Sequence, residues 1–297
     1  MIERSYVMLL SSLKGQSVLE VALELDVVIK YVVIGRDLNV REDYSNNIAE
    51  LCKANKIPFT DNINDINFGK TDIVLAVSWT RMLHNLEKKL IIFHDSLLPR
   101  YRGFAPLVNM LVNGEEKLGV SVLFAGDNYD TGPILFQDEI EISYPLKIVD
   151  AISRISQVYK KLAKRLFTSK IAPLKIEGVR QLEKDATYSL WRDDEDYKIL
   201  WDKSAAQIQR HIHAVGYPYL GAQTISKESK IRIFDAEIVQ DVNIENRQPG
   251  KVIFNEAGYP VVTCGEGLLK ILNASTEGSL GMQNFVPTSK LKFRFSY

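Results

Sequence analysis

The stretch FHDSLLPRYRG at residues 93–103 decides how the first half of the chain folds. It begins at the end of an apolar run, residues 90–93, that predicts a buried strand, and it ends at a glycine before a helical pattern. His94 is therefore expected where a central strand opens into a loop. Because ligands of open α/β sheets bind at this carboxyl edge of the strands, the position predicts a binding or catalytic site.

A second loop of the same kind has the sequence GDNYDTGP at residues 126–133. Its turn-forming residues place Asp130 directly before a Thr-Gly pair, between two predicted strands. A histidine and an aspartate on two loops at one sheet edge can act as a proton-transfer base and its orienting carboxylate. Spacing alone leaves other interpretations open, because a single histidine beside a strand is more often structural and such an aspartate is more often a turn former.

Strands and helices alternate on both sides of these loops. The alternation predicts an α/β domain with a Rossmann-like, mostly parallel sheet covered on both faces. A short piece at residues 57–59 contains Pro58 and is expected at an edge or in a connection. No Gly-x-Gly-x-x-Gly motif is present, so no dinucleotide is inferred. The predicted strands lie at residues 6–10, 27–34, 72–77, 90–93, 120–124 and 134–142, and the predicted helices at residues 18–25, 43–56, 104–113 and 148–166.

The remaining residues differ in composition and in their pattern of predicted elements. A polar, acidic stretch at residues 181–203 predicts a linker between a catalytic domain at residues 1–180 and a second domain at residues 204–297. The second domain opens with a helix at residues 204–215, for which Ser204 is the expected N-cap. Many short strands follow, broken by Gly, Pro and Asn, and they predict a smaller OB-like β-barrel.

The composition is that of a soluble globular protein, with 46% hydrophobic and 25% charged residues among 297. Lys and Arg number 37, as do Asp and Glu, so there is no global attraction to nucleic acid. Cys52 and Cys264 lie outside any metal-binding spacing and indicate thiols of a reducing compartment. No signal peptide is visible, and no apolar run approaches the roughly 20 residues that a membrane span needs. We expect a cytoplasmic protein with no metal and no membrane partner.

The motif His-x-Ser-Leu-Leu-Pro-x-x-x-Gly, followed by Asp-x-Gly, resembles the signature of the N10-formyltetrahydrofolate-dependent formyltransferases. That family includes glycinamide ribonucleotide, methionyl-tRNA and nucleotide-sugar N-formyltransferases. Residues 216–222, 249–252 and 263–267 resemble the C-terminal OB-like domain of the methionyl-tRNA enzymes and of some sugar enzymes. The resemblance therefore covers both predicted domains.

The resemblance implies a role for each part of the two loops. His94 would be catalytic, stabilising the oxyanion of the tetrahedral adduct or moving the proton of the amine, since imidazole titrates near neutral pH. Asp130, also catalytic, would orient the ring or raise its basicity. N10-formyltetrahydrofolate would be the co-substrate. The implied folate-binding residues are Arg81, Met82, Leu83, Gly126, Asp127, Tyr129 and Asp130. The implied acceptor-binding residues are Ser96, Leu97, Pro99, Arg102 and Gly103.

One position departs from the family pattern. The family usually has an Asn two residues before the histidine, where it helps to bind the formyl oxygen, and this chain has Ile92. Loss of one such donor typically costs on the order of 10²–10³ in rate. Either another group supplies the donor, or the protein is a non-catalytic relative. Asp95 also replaces the commoner Pro or Gly, as in some sugar-modifying members. The rest of the motif is intact, which favours a working enzyme.

Three functions remain open for the acceptor side. A tRNA acceptor calls for a basic C-terminal domain, yet residues 204–297 hold ten Lys and Arg against eight Asp and Glu. Arg36 and Arg41 are the only basic residues in the loop after Gly35, where tRNA enzymes usually carry a basic insertion. Residues 93–106 look most like amino-sugar members, including those that formylate UDP-linked 4-amino-4,6-dideoxy sugars in the pseudaminic acid pathway.

We therefore expect a nucleotide-linked amino sugar as acceptor, a UDP- or dTDP-linked 4-amino-4,6-dideoxy sugar used in surface glycan or nonulosonic acid biosynthesis. No nucleic acid partner is expected, and a homodimer is left open. The alternatives are a methionyl-tRNA formyltransferase and a non-catalytic protein that binds folate or a nucleotide sugar. A glycinamide ribonucleotide enzyme is disfavoured, because its single-domain form leaves the second domain unexplained.

Overall fold

A computed structural model gives the three-dimensional structure and describes residues 5–37, 40–41, 43–69, 73–81, 83, 89–226, 229–278, 281–284 and 294–296. The first half contains β1 (Tyr6–Leu10), α1 (Ser12–Glu24), β2 (Ile29–Ile34), α2 (Ser45–Ala54), β3 (Phe59–Thr60), β4 (Ile73–Val77), β5 (Leu90–His94), β6 (Arg102–Gly103), α3 (Pro106–Asn113), β7 (Lys117–Phe124), β8 (Ile134–Glu141) and α4 (Ile148–Phe167). The second half contains β9 (Tyr188–Ser189), α5 (Ala205–Ala214), β10 (Ala222–Ser226), β11 (Ser229–Val239), β12 (Val252–Glu256), β13 (Tyr259–Thr263), β14 (Leu268–Gly278) and β15 (Gly281–Asn284).

Seven strands form the N-terminal sheet in the order β3-β2-β1-β4-β5-β7-β8. The first five run parallel, and β7 and β8 are antiparallel to their neighbours. All residues of β1 and β4 are buried, as the continuous apolar runs of central parallel strands require. The predicted mostly parallel α/β sheet is confirmed, and β3 lies at its edge next to Pro58.

The two faces of this sheet are covered in different ways. One face packs against apolar residues of α1, α2, α3 and α4. On the other face, the described residues that cover the strands come from connections rather than helices, among them Phe68, Trp79 and Leu83. Since side chains alternate along a strand, Leu90, Ile92 and His94 of β5 all belong to this second face. The catalytic candidate therefore projects from the face that, among the described residues, is covered by connections.

The C-terminal domain is an antiparallel sheet in the order β10-β11-β14-β13-β12, with β15 paired to β14. Isolated bridges from Ile225 to Ser296 and from Lys251 to Arg294 bring its two edges together through residues 294–296. The register of the long strand β11 against β14 shifts at Asp235. This separate antiparallel β domain confirms the predicted fold class.

Helix α5 begins where the sequence predicts it. The Ser204 side chain accepts a hydrogen bond from the backbone of Gln207, and the Gln207 side chain accepts one from the Ser204 backbone, which completes a capping box. Contacts also join the two halves: Lys147 lies 2.6 Å from Asp235. The predicted domain boundaries stay a prediction. None of the helices in the part of the chain that the structure describes is long and apolar enough to cross a membrane.

Candidate active site

His94 is the last residue of β5 and lies at the carboxyl edge of the sheet. The ring is almost fully buried, and its Nε2 lies 2.8 Å from the carbonyl oxygen of Tyr101. A carbonyl oxygen can only accept, so Nε2 carries the proton of this bond. On the other side of the ring, Nδ1 lies 3.5 Å from Oδ2 of Asp130, which is also buried. The structure thus brings together the two residues that the motifs predict to be catalytic.

A tight loop between β7 and β8 presents Asp130. Its φ of +56° is left-handed, and Oδ2 accepts a hydrogen bond of 2.9 Å from the backbone N–H of Gly103. Two residues on, a Cβ at Gly132 would lie 1.9 Å from the carbonyl oxygen of Phe124, so this position requires glycine. The close approach of Gly132 to Phe124 fixes the loop that carries Asp130.

The loop after His94 is stabilised by buried hydrogen bonds. Ser96 is fully buried, and its carbonyl accepts a 2.6 Å bond from the hydroxyl of Ser121 on β7. Leu97 packs against Gly119, where a Cβ would lie 2.3 Å from the Leu97 side chain. The Leu98-Pro99 peptide bond is cis. These three predicted acceptor-binding residues, Ser96, Leu97 and Pro99, shape the loop from within, and direct contact with an acceptor stays a prediction for them.

Arg102, also predicted to bind the acceptor, is 1% exposed and is engaged by other side chains. Its Nε donates to Oε1 of Gln181 at 3.0 Å, and Nη1 lies 2.8 and 3.0 Å from the two carboxylate oxygens of Glu183. Nη1 also lies 3.3 Å from the hydroxyl of Tyr188. The guanidinium therefore binds a part of the chain some 80 residues away.

Residues 179–189, here called the connecting segment, form one wall of the site. Val179 and Ile134 exchange two backbone hydrogen bonds at 2.8 Å, and β9 pairs in parallel with β6. The Thr187 hydroxyl accepts a 2.9 Å bond from the backbone N–H of Tyr101. Much of this segment falls in the stretch that the sequence predicts to be a linker. Its polar composition is typical of a linker, and no local pattern indicates its distant partners.

The predicted folate-binding residues follow two different strands of the sheet, β4 and β7. Arg81, Asp127 and Tyr129 are exposed, and Gly126 is half-buried. The Tyr129 ring lies 5.1 Å from the ring of Phe104 between centroids. Leu83 is half-buried in the apolar cluster of the second sheet face. Met82, and the histidine at position 84 that we interpret as a surface residue, lie outside the described residues.

Ile92 offers no hydrogen-bond donor, and the structure shows what surrounds it. The side chain packs in the same apolar cluster as Trp79, Leu83 and Ala125. Within this cluster the indole Nε1 of Trp79 is buried and has no hydrogen-bond partner among the described residues. A buried N–H without a partner is uncommon and costs stability. Trp79 is therefore a donor on the His94 face that the motifs do not reveal.

Asp95 takes part in a partly buried charge cluster beside His94. Its Oδ2 lies 2.5 Å from Nζ of Lys14, and its Oδ1 accepts a 2.6 Å hydrogen bond from the hydroxyl of Tyr159. Burial opposes ionisation of Asp95, but the Lys14 charge and the hydrogen bonds from Lys14 and Tyr159 outweigh it and lower the pKa of Asp95. The Tyr159 ring also stacks on Phe93, at 5.6 Å between centroids. Tyr159 thus contacts Phe93 and Asp95, the residues directly before and after His94.

Neither cysteine belongs to the site. Cys52 and Cys264 are free thiols, and burial raises the pKa of Cys52 to about 11 and that of Cys264 to about 12. Over the described ranges there is no group of three or more His, Cys, Asp or Glu that would hold a metal ion.

Comparison with known proteins agrees with the motifs. The family model described as formyl transferase matches residues 44–169, and the model of the formyl transferase C-terminal domain matches residues 192–285. The methionyl-tRNA formyltransferase of Thermodesulfovibrio yellowstonii is 30% identical over 242 residues, which are 77% of this chain and 73% of that protein. That of Caldicellulosiruptor saccharolyticus is 32% identical over 204 residues, 67% of this chain. This second match spans 63% of the relative's length, less than two thirds.

A solved structure shares the fold over nearly the whole chain. WlaRD, a sugar 3N-formyl transferase crystallised in the presence of dTDP and 5-N-formyl-THF, superimposes with a TM-score of 0.68. The match covers 93% of this chain and 98% of WlaRD, with 17% sequence identity. The shared fold, the two matching family models and the 30% identity to a relative lead to one conclusion: this chain belongs to the formyltransferase family.

Proposed function

We propose that the protein transfers the formyl group of N10-formyltetrahydrofolate to the amino group of a nucleotide-linked amino sugar. The expected acceptor is a UDP- or dTDP-linked 4-amino-4,6-dideoxy sugar, an intermediate of surface glycan or nonulosonic acid biosynthesis. The observation that carries the proposal is the buried His94–Asp130 pair at the carboxyl end of β5, in a chain of the formyltransferase family.

The proposed reaction proceeds by addition and elimination. The acceptor nitrogen attacks the formyl carbon and forms a tetrahedral adduct with a negatively charged oxygen. The bond between that carbon and N10 of the folate then breaks. The acceptor nitrogen loses one proton, N10 gains one, and tetrahydrofolate leaves. No covalent intermediate with the protein is needed, which agrees with the burial of both cysteines as free thiols.

The contacts of His94 support different tasks for its two ring nitrogens. Nε2 holds its proton against the carbonyl of Tyr101, so Nδ1 is the nitrogen that takes up a proton during transfer. The resulting imidazolium stabilises the negative oxygen of the adduct. Asp130, 3.5 Å from Nδ1, stabilises that imidazolium until the proton passes to N10 of the leaving folate.

Trp79 is the donor that we propose in place of the missing Asn. Its unpartnered Nε1–H lies in the same apolar cluster as Ile92, the position that the Asn occupies in the family. Strand β4, which Trp79 closely follows, is hydrogen-bonded to β5. A hydrogen bond from this N–H to the formyl oxygen would satisfy a donor that is otherwise buried without a partner.

The charges of the C-terminal domain favour the small acceptor. Several of its basic side chains are neutralised within the protein: Arg232 and Lys230 lie 2.5 and 2.6 Å from Asp194, and Arg247 lies 2.6 Å from Asp241. A tRNA would be bound largely by unpaired basic groups, one for each phosphate contact. A nucleotide sugar carries only a diphosphate. The fold shared with WlaRD, a sugar 3N-formyl transferase, supports the same choice.

A methionyl-tRNA acceptor is the second candidate. It is favoured by sequence, because relatives at 30% and 32% identity are methionyl-tRNA formyltransferases. A non-catalytic binding protein is the third, and Ile92 is the observation that favours it.

One assay separates the three candidates. Purified protein is incubated with N10-formyltetrahydrofolate and either UDP-, dTDP- and GDP-linked amino sugars or methionyl-tRNA, and formylated products are measured by mass spectrometry. We expect product with a UDP- or dTDP-linked 4-amino sugar and none with methionyl-tRNA. Formylation of methionyl-tRNA would overturn the sugar proposal. No product with any acceptor, together with binding of the folate, would establish the non-catalytic candidate.

A further inference from the structure

The side chain of Gln181 joins the two loops of the candidate site. Its Nε2 donates to two backbone carbonyls of the loop between β7 and β8, those of Asp130 at 2.7 Å and Gly132 at 2.8 Å. Its Oε1 accepts from Nε of Arg102 at 3.0 Å. From these contacts we infer that Gln181 is the positioning residue that holds Asp130 against His94. The inference rests on the catalytic pair proposed above.

These bonds are part of a closed circuit around the carboxylate. From the carbonyl of Asp130 the contacts lead through the amide of Gln181 to Arg102. The next residue, Gly103, donates its backbone N–H back to Oδ2 of Asp130 at 2.9 Å. The backbone and the side chain of Asp130 are therefore fixed to the same short strand, β6. Rotation of the carboxylate away from His94 requires at least one hydrogen bond of the circuit to break.

Asp130 needs such support because its backbone conformation is unfavourable. A left-handed φ of +56° is uncommon for residues other than glycine and is maintained by its surroundings. Its contact with Nδ1 of His94, at 3.5 Å, is longer than an ideal hydrogen bond. A small displacement of the loop would therefore end the contact. Gln181 binds the loop at the residue concerned and again two residues later.

The rest of the connecting segment anchors Gln181 itself. Val179 pairs with Ile134 at the start of β8, and Ser189 accepts from the backbone N–H of Phe104 at 3.0 Å. Glu183 binds Nη1 of Arg102, whose guanidinium is buried. The glutamine amide is thus placed between two loops by contacts on both sides of it.

Two substitutions of Gln181 test whether its hydrogen bonds, rather than its size, position Asp130. Gln181→Met keeps the length of the side chain and removes all three hydrogen bonds. Gln181→Glu keeps an oxygen for Arg102 and replaces the donor to the two carbonyls by an acceptor. Gln209→Met is the matched control, because Gln209 is a partly buried glutamine of α5 that donates one 2.9 Å bond to the carbonyl of Ala236, within the C-terminal domain.

The experiment measures kcat and KM for both substrates, thermal unfolding, and the ring-nitrogen resonances of His94. The chain has four histidines, so His94 is assigned by comparison with a His94→Asn protein. We expect kcat to fall by about 10- to 100-fold in both Gln181 variants with little change in KM, since misplacement of a reacting group by about 1 Å has such effects. The Nδ1 resonance should move toward its value in Asp130→Asn, and Gln209→Met should change neither quantity.

The inference is overturned if both Gln181 variants keep the wild-type kcat and Nδ1 resonance, or if Gln209→Met changes them to the same extent. It is also overturned if the loss appears only in KM or only in the unfolding temperature. If wild-type protein formylates no acceptor, the proposed function fails separately. The NMR comparison of wild type, Gln181→Glu and Asp130→Asn then still decides whether Gln181 positions Asp130.

Discussion

The partly buried ion pair between Lys14 and Asp95 allows a quantitative test of the structure. Both side chains are 12% exposed, and Nζ lies 2.5 Å from Oδ2. Lys14→Met removes the cation, keeps most of the aliphatic volume, and leaves the Asp95 carboxylate with the hydroxyl of Tyr159. Breaking a buried pair from one side costs about 3–5 kcal/mol. Because the pair is partly exposed and Tyr159 still donates, we expect the lower end, about 3 kcal/mol of unfolding free energy at neutral pH.

The loss of unfolding free energy in Lys14→Met should depend on pH, and the lowered pKa of Asp95 sets the direction of that dependence. Lys14 and Tyr159 lower the pKa of Asp95 below its value in the unfolded chain. A carboxylate of this kind stabilises the folded state above the unfolded pKa of about 3.9, and the stabilisation is lost as the pH falls through the lower folded pKa. Without Lys14 the folded pKa of Asp95 rises, because burial then acts with less opposition. The stability difference between wild type and variant should therefore be largest near pH 7 and shrink as the pH falls below about 4.

Urea unfolding of wild type and Lys14→Met at several pH values measures this difference. Lys117→Met is the matched control: it removes a pair of the same 2.5 Å length on β7, but its groups are exposed, so stability should stay close to wild type. Equal stability of wild type and Lys14→Met at pH 7 would refute the reasoning, and so would a difference that does not change with pH.

Three further predictions concern the site and the C-terminal domain. His94→Ala should lower turnover by about 10² or more without loss of the folded structure, measured by steady-state kinetics and circular dichroism, and a near-normal rate would remove His94 from the mechanism. Trp79→Phe keeps an aromatic ring without the N–H and should lower kcat by on the order of 10² if that group binds the formyl oxygen; an unchanged kcat would leave the Ile92 position without a substitute donor. Ser204→Ala removes the cap of α5 and should cost about 1 kcal/mol in urea unfolding, and no loss would contradict the role of the capping box.

Several features of the protein follow from local sequence. The apolar runs of β1, β4 and β5 are visible in the sequence because a central parallel strand is buried on both faces and needs apolar residues throughout. The N-cap at Ser204 is visible because the cap and its helix are adjacent in the chain. The motif that starts at His94 also predicts a site at the carboxyl edge of the sheet. A shared sheet edge does not explain the contact with Asp130, because β7 runs antiparallel to β5 and ends beside Leu90. The loop after β7 folds back to bring Asp130 to His94.

Other features depend on contacts between distant residues, and only the tertiary structure decided them. The sequence predicts residues 181–203 as a linker, whereas Gln181 and Tyr188 lie against Arg102, about 80 positions earlier. Hydrogen bonds of this kind leave no periodic pattern, because each one depends on a single pair of residues brought together by the fold. The cluster of Lys14, Asp95 and Tyr159 joins three elements in the same way. Periodicity and turn chemistry thus determined the elements and the edge where the site lies, while the folded chain determined which side chains hold His94 and Asp130 in place.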